Sequence, residues 1–295
     1  MGSSKHLEFY RKPSMARTLW QGAMKRGAPF PDADLSKDVS VSWRDIRVPE
    51  KHLKAFCRIC DIEQDNVLPV FYPFTYVYPC MLRLASLETF PVSMFKMLNT
   101  RSRVTAPLKL SVDERLNVDC RISGYRYVTK GMEIDLHAVV STNNQAAWES
   151  IRTFFVRTPK GNTDETSSRT GMQAIDNGQT IAQWYLPAKE RFRFARICGD
   201  SNGIHYSKWY ARLLGFRRDF AQPLRIISKA IENLPLPKRE SGMIIDIDYK
   251  GPVYYNHHIQ LKYGKTENAE MFDVYCQNNP RPCIAAAITK NCSIS

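Results

Sequence analysis

Two residues able to exchange protons stand five positions apart, Asp200 and His205, within FARICGDSNGIHYSKWYARLLGF, residues 194–216. A carboxylate and an imidazole held on one rigid turn can touch a single oxygen from two sides, one as base and the other as orienting partner. The neighbours favour such a turn. Gly199 permits a tight bend before Asp200. Asn202 can hydrogen-bond nearby backbone and stiffen the loop. Ser207 suits the N-cap of a helix over KWYARLLGF, with Gly215 as its stop. An Asp and a His in one loop are weak evidence on their own, so the elements that must hold them matter.

Those elements come from an internal repeat. Residues 49–60, PEKHLKAFCRIC, match residues 187–198, PAKERFRFARIC, at six of twelve positions. Residues 79–92 match 223–236: each has a Pro, a Glu nine residues later, then a second Pro and an aliphatic. Pro107 pairs with Pro252, and Asn143-Asn144 with Asn278-Asn279, all in one order at an offset near 140 residues. Four correspondences in register argue for two copies of one domain.

Each copy is expected to open with a short helix carrying Pro in its first turn. A mostly buried helix follows, with Leu82, Leu84, Ala85 and Leu87 in one copy and Leu224, Ile227 and Ile231 in the other. Strands are expected at 116–127, 133–141 and 147–157, and again at 244–249, 258–263, 271–277 and 284–289. The Asn-Asn pairs suit hairpin turns. About ten extra residues in the first copy fall at a hairpin tip near 126–131. Pro69, Pro73 and Pro79 crowd the approach to the first copy's helix and should make it irregular. The expected organisation is an arm over 1–40, a first copy over 41–158, a polar linker over 159–180 and a second copy over 181–295. The class is α+β, with an antiparallel sheet against one central helix in each copy.

With 43% hydrophobic and 24% charged residues, the chain has a globular composition. No apolar run reaches about 18 residues. The start MGSSKH lacks the apolar segment of a secretory signal. Eight scattered cysteines are read as reduced thiols of a cytoplasmic-type compartment. The net charge of +13 favours polyanionic partners or is simply a solvated basic surface, and no nucleic-acid module is recognisable. Residues 14–26 suit a basic helix capped by Ser14 and stopped at Gly27, with Met15, Leu19, Trp20 and Met24 as a partial apolar stripe. It is expected to pack on the protein body; the other readings are a peripheral membrane contact or an organellar presequence, which would place the chain in an organelle matrix. Cys57 and Cys60 form a CxxC, but one pair cannot close a tetrahedral zinc site, so no metal is expected. Cys198 reads as a small packing residue, and His257-His258 as surface residues.

The stretch 194–216 resembles the signature of the MaoC-like family of (R)-specific enoyl-CoA hydratases and acyl-thioester dehydratases. Phe194, Cys198, Gly199, Asp200, Asn202, Ile204, His205, Ala211, Gly215 and Phe216 fall on its pattern. The resemblance implies a hot-dog fold, here as a fused double hot dog over residues 41–295. It also implies that Asp200 and His205 activate a water that adds to a 2-enoyl thioester, giving an (R)-3-hydroxyacyl thioester, or the reverse. No cofactor is implied beyond the coenzyme A or acyl carrier protein that bears the substrate. Supporting roles fall to Gly199, Asn202 and Gly203. The oxyanion region maps to Gln222, Pro223 and Leu224.

Two positions depart from the pattern. Gly203 replaces a proline and is expected to loosen the loop. Gln222-Pro223 replaces His-Gly at the start of the central helix, where the glycine N–H should face the thioester oxygen; proline has none. The Gln222 carboxamide or the Leu224 N–H would have to substitute. Otherwise the chain is a non-catalytic acyl-thioester or lipid-binding protein, or a subunit that needs a partner chain. Lys208, Arg212, Arg217, Arg218 and Arg225 surround the motif, either as contacts for coenzyme A phosphates or an acidic carrier, or as a solvated face. The first copy reads DIEQDNVLPVFYP after its FCRIC and lacks the Asp/His pair, so one site per chain is expected; a homodimer is compatible with this.

Overall fold

A computed structural model describes residues 5–25, 39–158, 171–200 and 202–290. The arm supplies β1 (Lys5–Phe9) and α1 (Met15–Met24). The first copy follows as β2 (Val39–Ile46), α2 (Glu50–Cys60), α3 (Phe74–Ala85), β3 (Leu98–Ala106), β4 (Leu116–Val128), β5 (Gly131–Thr142) and β6 (Gln145–Arg157). The second repeats the plan as β7 (Gln179–Leu186), α4 (Arg191–Cys198), α5 (Lys208–Leu213), α6 (Pro223–Glu232), β8 (Met243–Tyr249), β9 (His257–Lys265), β10 (Glu270–Cys276) and β11 (Ile284–Lys290). Only α5 has no counterpart.

All eleven strands join in one sheet, ordered β1-β2-β4-β5-β6-β3-β8-β11-β10-β9-β7. From β2 to β3 and from β7 inward to β8 the order is the same, so the two copies meet as mirror halves about the β3–β8 seam. That seam is antiparallel, and Asp246 on β8 pairs with Arg101 at 3.0 Å and Arg103 at 2.7 Å. The repeat also meets itself across the helices. Phe56 and Phe194, equivalent positions of the two copies, lie 6.0 Å apart, and both are fully buried. His52 donates through Nε2 to the Ile197 carbonyl at 3.0 Å, joining α2 to the end of α4.

The buried helices behave as their composition demands. α3 is buried on nearly every side and packs on β2, β4 and β5. Pro79 lies inside α3, which starts five residues earlier, at Phe74. The crowded prolines therefore do not keep this helix from forming: Pro73 is its N-cap residue. Its counterpart α6 does begin at its proline, Pro223. The β4–β5 hairpin is paired out to Val128 opposite Gly131, longer than its counterpart β9–β10, which accounts for the extra residues of the first copy. Asn143 and Asn144 both have positive φ, 48° and 62°, in a two-residue turn between β5 and β6. Asn278-Asn279 is different: seven residues separate β10 from β11, so that pair belongs to a longer loop.

Four strands had no sequence expectation: β1, β2, β3 and β7. β2 and β7 border the two copies, and β3 reads LNTRSRVTA, too polar to stand out. Arg101 and Arg103 of β3 serve the seam instead of a core. β1 extends the sheet beside β2, in parallel. Helix α1 packs on α3, with Ser14 Oγ accepting from the Arg17 N–H at 3.4 Å. It packs through Thr18 and Gly22, while Trp20 and Met24 are 65% exposed. Arg83 of α3 also donates to the Gln21 side chain. The stop expected at Gly27 lies outside the described residues. No described helix is long and apolar enough to cross a membrane. The seven described cysteines are free and buried, and no metal-binding cluster occurs among the described residues.

Candidate active site

The loop starts where α4 must stop. Gly199 takes φ +75° as the C-cap and donates to the Ala195 carbonyl at 3.0 Å. A Cβ there would stand 3.0 Å from Cγ of Pro79, so glycine is required both by the backbone and by the first copy's α3. The chain then presents Asp200. Asn202 caps a single 3-10 turn over Gly203–His205, its side chain accepting from the Ile204 N–H at 3.2 Å. The Asn202 N–H returns to Asp200 Oδ1 at 3.1 Å. Ser207 then caps α5 at the Tyr210 N–H, 3.2 Å away. A Cβ on Gly203 would come within 2.8 Å of the Tyr210 ring, so Tyr210 fills the space that a proline side chain would need.

Asp200 and His205 converge. Asp200 Oδ2 and His205 Nε2 are 3.2 Å apart, and both residues are buried. His205 Nδ1 lies 3.0 Å from the Phe220 carbonyl. A carbonyl only accepts, so Nδ1 carries a hydrogen and Nε2 is left facing the carboxylate. The Phe220 ring meets the imidazole edge-on at 5.1 Å, and the Phe220 N–H bonds back to the Ile204 carbonyl at 3.3 Å. Burial alone would raise the Asp200 carboxyl. The His205 charge and hydrogen bond, the Asn202 N–H and the more distant Arg152 charge outweigh it and hold the carboxyl below its ordinary range.

The pair forms part of the wall of a cavity of about 210 Å³. Much of the rest of the wall comes from the first copy: Tyr78 of α3, Asn99 and Thr100 of β3, Arg152 and Phe154 of β6. Burial, then the Asp200 charge, push the Tyr78 phenol far up, so it stays a hydroxyl donor beside that carboxylate. A smaller, mostly apolar compartment shares Tyr78, Met97, Phe154 and Asn202 with this cavity and is lined further by Leu19, Met81, Leu82 and Met94. Leu19 comes from α1, so the arm helps to enclose it.

The remaining expected site residues divide. Pro223 lines the cavity, whereas Gln222 and Leu224 are not among its lining residues. Gln222 is buried, accepts from the Tyr255 hydroxyl at 3.2 Å, and leaves its Nε2 without a partner. Lys208, Arg212, Arg217 and Arg218 also stand outside the lining. Arg212 donates to the Arg217 carbonyl at 3.3 Å, and Arg218 leans on Asp219 at 3.6 Å. Arg225 is buried and donates to the Pro187 carbonyl at 3.4 Å. The lining cations are Arg152 and Lys250, neither of them expected from the sequence. Cys198 is buried and its thiol is pushed far up, first by burial and then by the Asp200 charge, so it remains an inert packing group.

No known protein-family model matches the chain. A curated relative, 3-hydroxyacyl-thioester dehydratase X of Mycobacterium tuberculosis, is 23% identical over 223 residues, covering 76% of this chain and 79% of that one. The crystal structure of HtdX from the same bacterium superposes with a TM-score of 0.72 at 19% identity, covering 85% of this chain and 99% of that one. A MaoC-like dehydratase from Phytophthora capsici gives a TM-score of 0.67 at 12% identity, over 86% of this chain and 95% of that one. A further M. tuberculosis protein described as having a double hot-dog fold gives 0.59 at 10% identity, over 90% and 98%. Sequence similarity and architecture agree: the chain resembles the MaoC-like dehydratases, and its fold is the double hot dog.

Proposed function

We propose that the chain is a hydro-lyase that adds water to a 2-enoyl thioester, giving an (R)-3-hydroxyacyl thioester, or removes it. The observation that carries this is the 3.2 Å contact between Asp200 and His205 in the cavity wall, with the imidazole fixed from behind by the Phe220 carbonyl. That separation lets both groups reach one water oxygen. With Nδ1 committed to Phe220, Nε2 is the imidazole atom that faces Asp200 and a water between them, and it is the atom that would carry the proton delivered to C2.

Hydration then balances within the pair. Asp200 takes one proton of the water as its oxygen bonds to C3. The C2–C3 π electrons move towards the thioester carbonyl. His205 Nε2 gives its proton to C2 as the carbonyl re-forms. The pair is left as neutral carboxyl and neutral imidazole, and one proton transfer across their contact restores it. Dehydration runs the same steps backwards. The mostly apolar compartment behind Tyr78 and Met97 suits the acyl chain. Lys208, Arg212, Arg217 and Arg218 lie outside the lining but near Phe216 and Phe220 in sequence, two residues that line the cavity, and they suit the phosphates of coenzyme A or an acidic carrier.

The test follows loss of enoyl-thioester absorbance over a panel of chain lengths. Asp200→Asn should lower the rate about 10²–10⁴-fold while keeping the fold. Wild-type protein inert towards the whole panel would overturn the reading. One observation favours a second reading, a binding protein: Pro223 brings no N–H to the cavity. It requires an enoyl thioester to bind tightly and be recovered unchanged.

A further inference from the structure

Water addition places negative charge on the thioester oxygen, and a site that drives it needs a donor there. Pro223 cannot be that donor, and Gln222 is not among the lining residues. The cavity does hold another group of the right kind. Arg152 projects from β6 of the first copy, is 7% exposed, and lines the same cavity as Asp200 and His205. Three aromatic rings hold its guanidinium: Phe74 at 4.8 Å, Tyr78 at 5.2 Å and Phe154 at 5.6 Å. With the Asn99 amide turned to satisfy both its ends, Asn99 accepts from Arg152 Nη2 at 2.7 Å and donates to the Thr153 and Arg101 carbonyls. Among the described residues no carboxylate comes within ion-pairing distance of Arg152. A guanidinium withdrawn from water and lacking a counter-ion is costly to bury, and it is relieved when an anion enters beside it.

We propose that Arg152, supplied by the copy without the Asp/His pair, receives the charge that develops on the thioester oxygen, in place of the helix N–H that Pro223 removes. The inference rests on the hydro-lyase reading above. It makes Arg152 a catalytic residue and the first copy an active half of the site. Neutral Asn99 holds the guanidinium without cancelling its charge. Asp200 lines the same cavity, so the cation can pull electrons away from C3 as the base delivers the nucleophile.

The test uses a 3-ketoacyl-coenzyme A of the acetoacetyl type, whose C2–H ionises to an enolate with its own near-ultraviolet band. A bound cation at the thioester oxygen promotes that ionisation without any hydration chemistry. Wild-type protein should raise the enolate band at a pH where the free thioester remains a ketone. Arg152→Gln should lose the band, and Arg152→Lys should keep part of it. In hydration of a 2-enoyl thioester, Arg152→Gln should lower kcat about 10²-fold or more with little change in KM. Thermal melting checks the fold of each variant. An Arg152→Gln protein that folds and keeps the wild-type band overturns the proposal, as does wild-type protein that raises no band, a result that needs no variant. An Arg152-dependent band without enoyl turnover would remove the hydro-lyase reading and leave Arg152 as the anion receptor. Turnover unaffected in Arg152→Gln would do the reverse.

Discussion

The ends of α2 and α4 are the same structure put to different uses. Each helix finishes in Arg-Ile-Cys and hands over to a residue in the left-handed region: Asp61 at φ 55° and Gly199 at φ 75°. Each capping N–H returns to the helix, to Cys57 in one case and Ala195 in the other. Beyond this point the copies part. The first runs through an irregular segment into α3, with Asp61 exposed and paired to Lys229 at 2.8 Å. The second inserts a capped turn and α5 before α6, and so aims Asp200 and His205 into a cavity. The two copies share one scaffold and divide the cavity wall between them: the second brings Asp200 and His205, the first Tyr78, Asn99 and Arg152. A close helix approach links them, Pro79 of α3 resting on Gly199.

The largest effect should come from the contact the repeat makes with itself. Phe56→Ala and Phe194→Ala each remove a fully buried ring at equivalent positions, and each should cost about 3–5 kcal/mol in denaturant unfolding. Because the rings face one another, a double-mutant cycle should show coupling of about 0.5–1.5 kcal/mol. Costs that differ widely between the two, or no coupling, would break the picture of two halves meeting symmetrically at this point.

The two caps offer a sharper contrast with a smaller effect. Gly199→Ala forces a side chain into left-handed backbone and against Pro79, at about 1–2 kcal/mol of stability. It should also lower activity, because Asp200 is the next residue. Asp61→Gly relieves the same backbone but removes an exposed ion pair, so its net change should stay within about 0.5 kcal/mol. Thermal melts of both variants, with enoyl-thioester turnover alongside, check this. A Gly199→Ala cost no larger than that of Asp61→Gly would mean that neither the left-handed backbone nor Pro79 constrains Gly199.

The sequence made the duplicated plan legible because its signals are local: the Pro–Lys blocks, the helical spacing of aliphatics, the Asn-Asn turn at 143–144. The capped loop was legible for the same reason, since Gly199, Asn202 and Ser207 act within a few residues of themselves. Tyr78, Asn99 and Arg152 were not. They lie far from residue 200 in the chain and reach the cavity only through the meeting of the copies at β3 and β8. Lys208, Arg212, Arg217 and Arg218 show the opposite case. Being adjacent to the motif in sequence, they looked like site cations, but none of them is among the residues that line the cavity. β3 was hidden because its arginines serve Asp246 across the seam, leaving few apolar residues to mark a strand.

The smallest effect lies in the acid limb of stability, and it assigns part of that limb to the second copy's loop. Despite the upward push of burial, His205, the Asn202 N–H and Arg152 hold the Asp200 carboxyl below its ordinary value of 3.8. The folded protein therefore keeps this carboxylate charged at a pH where the unfolded chain would protonate it. Its stabilisation is full above the unfolded carboxyl's range and is lost as pH falls through the lowered folded value. Asp200→Asn removes that titration. Its melting temperature should fall less steeply than that of the wild type below about pH 4, with the two curves running parallel near neutrality. Melting curves taken in steps across the acid range give the two slopes. Parallel acid limbs would mean that the folded loop does not hold Asp200 as an ion.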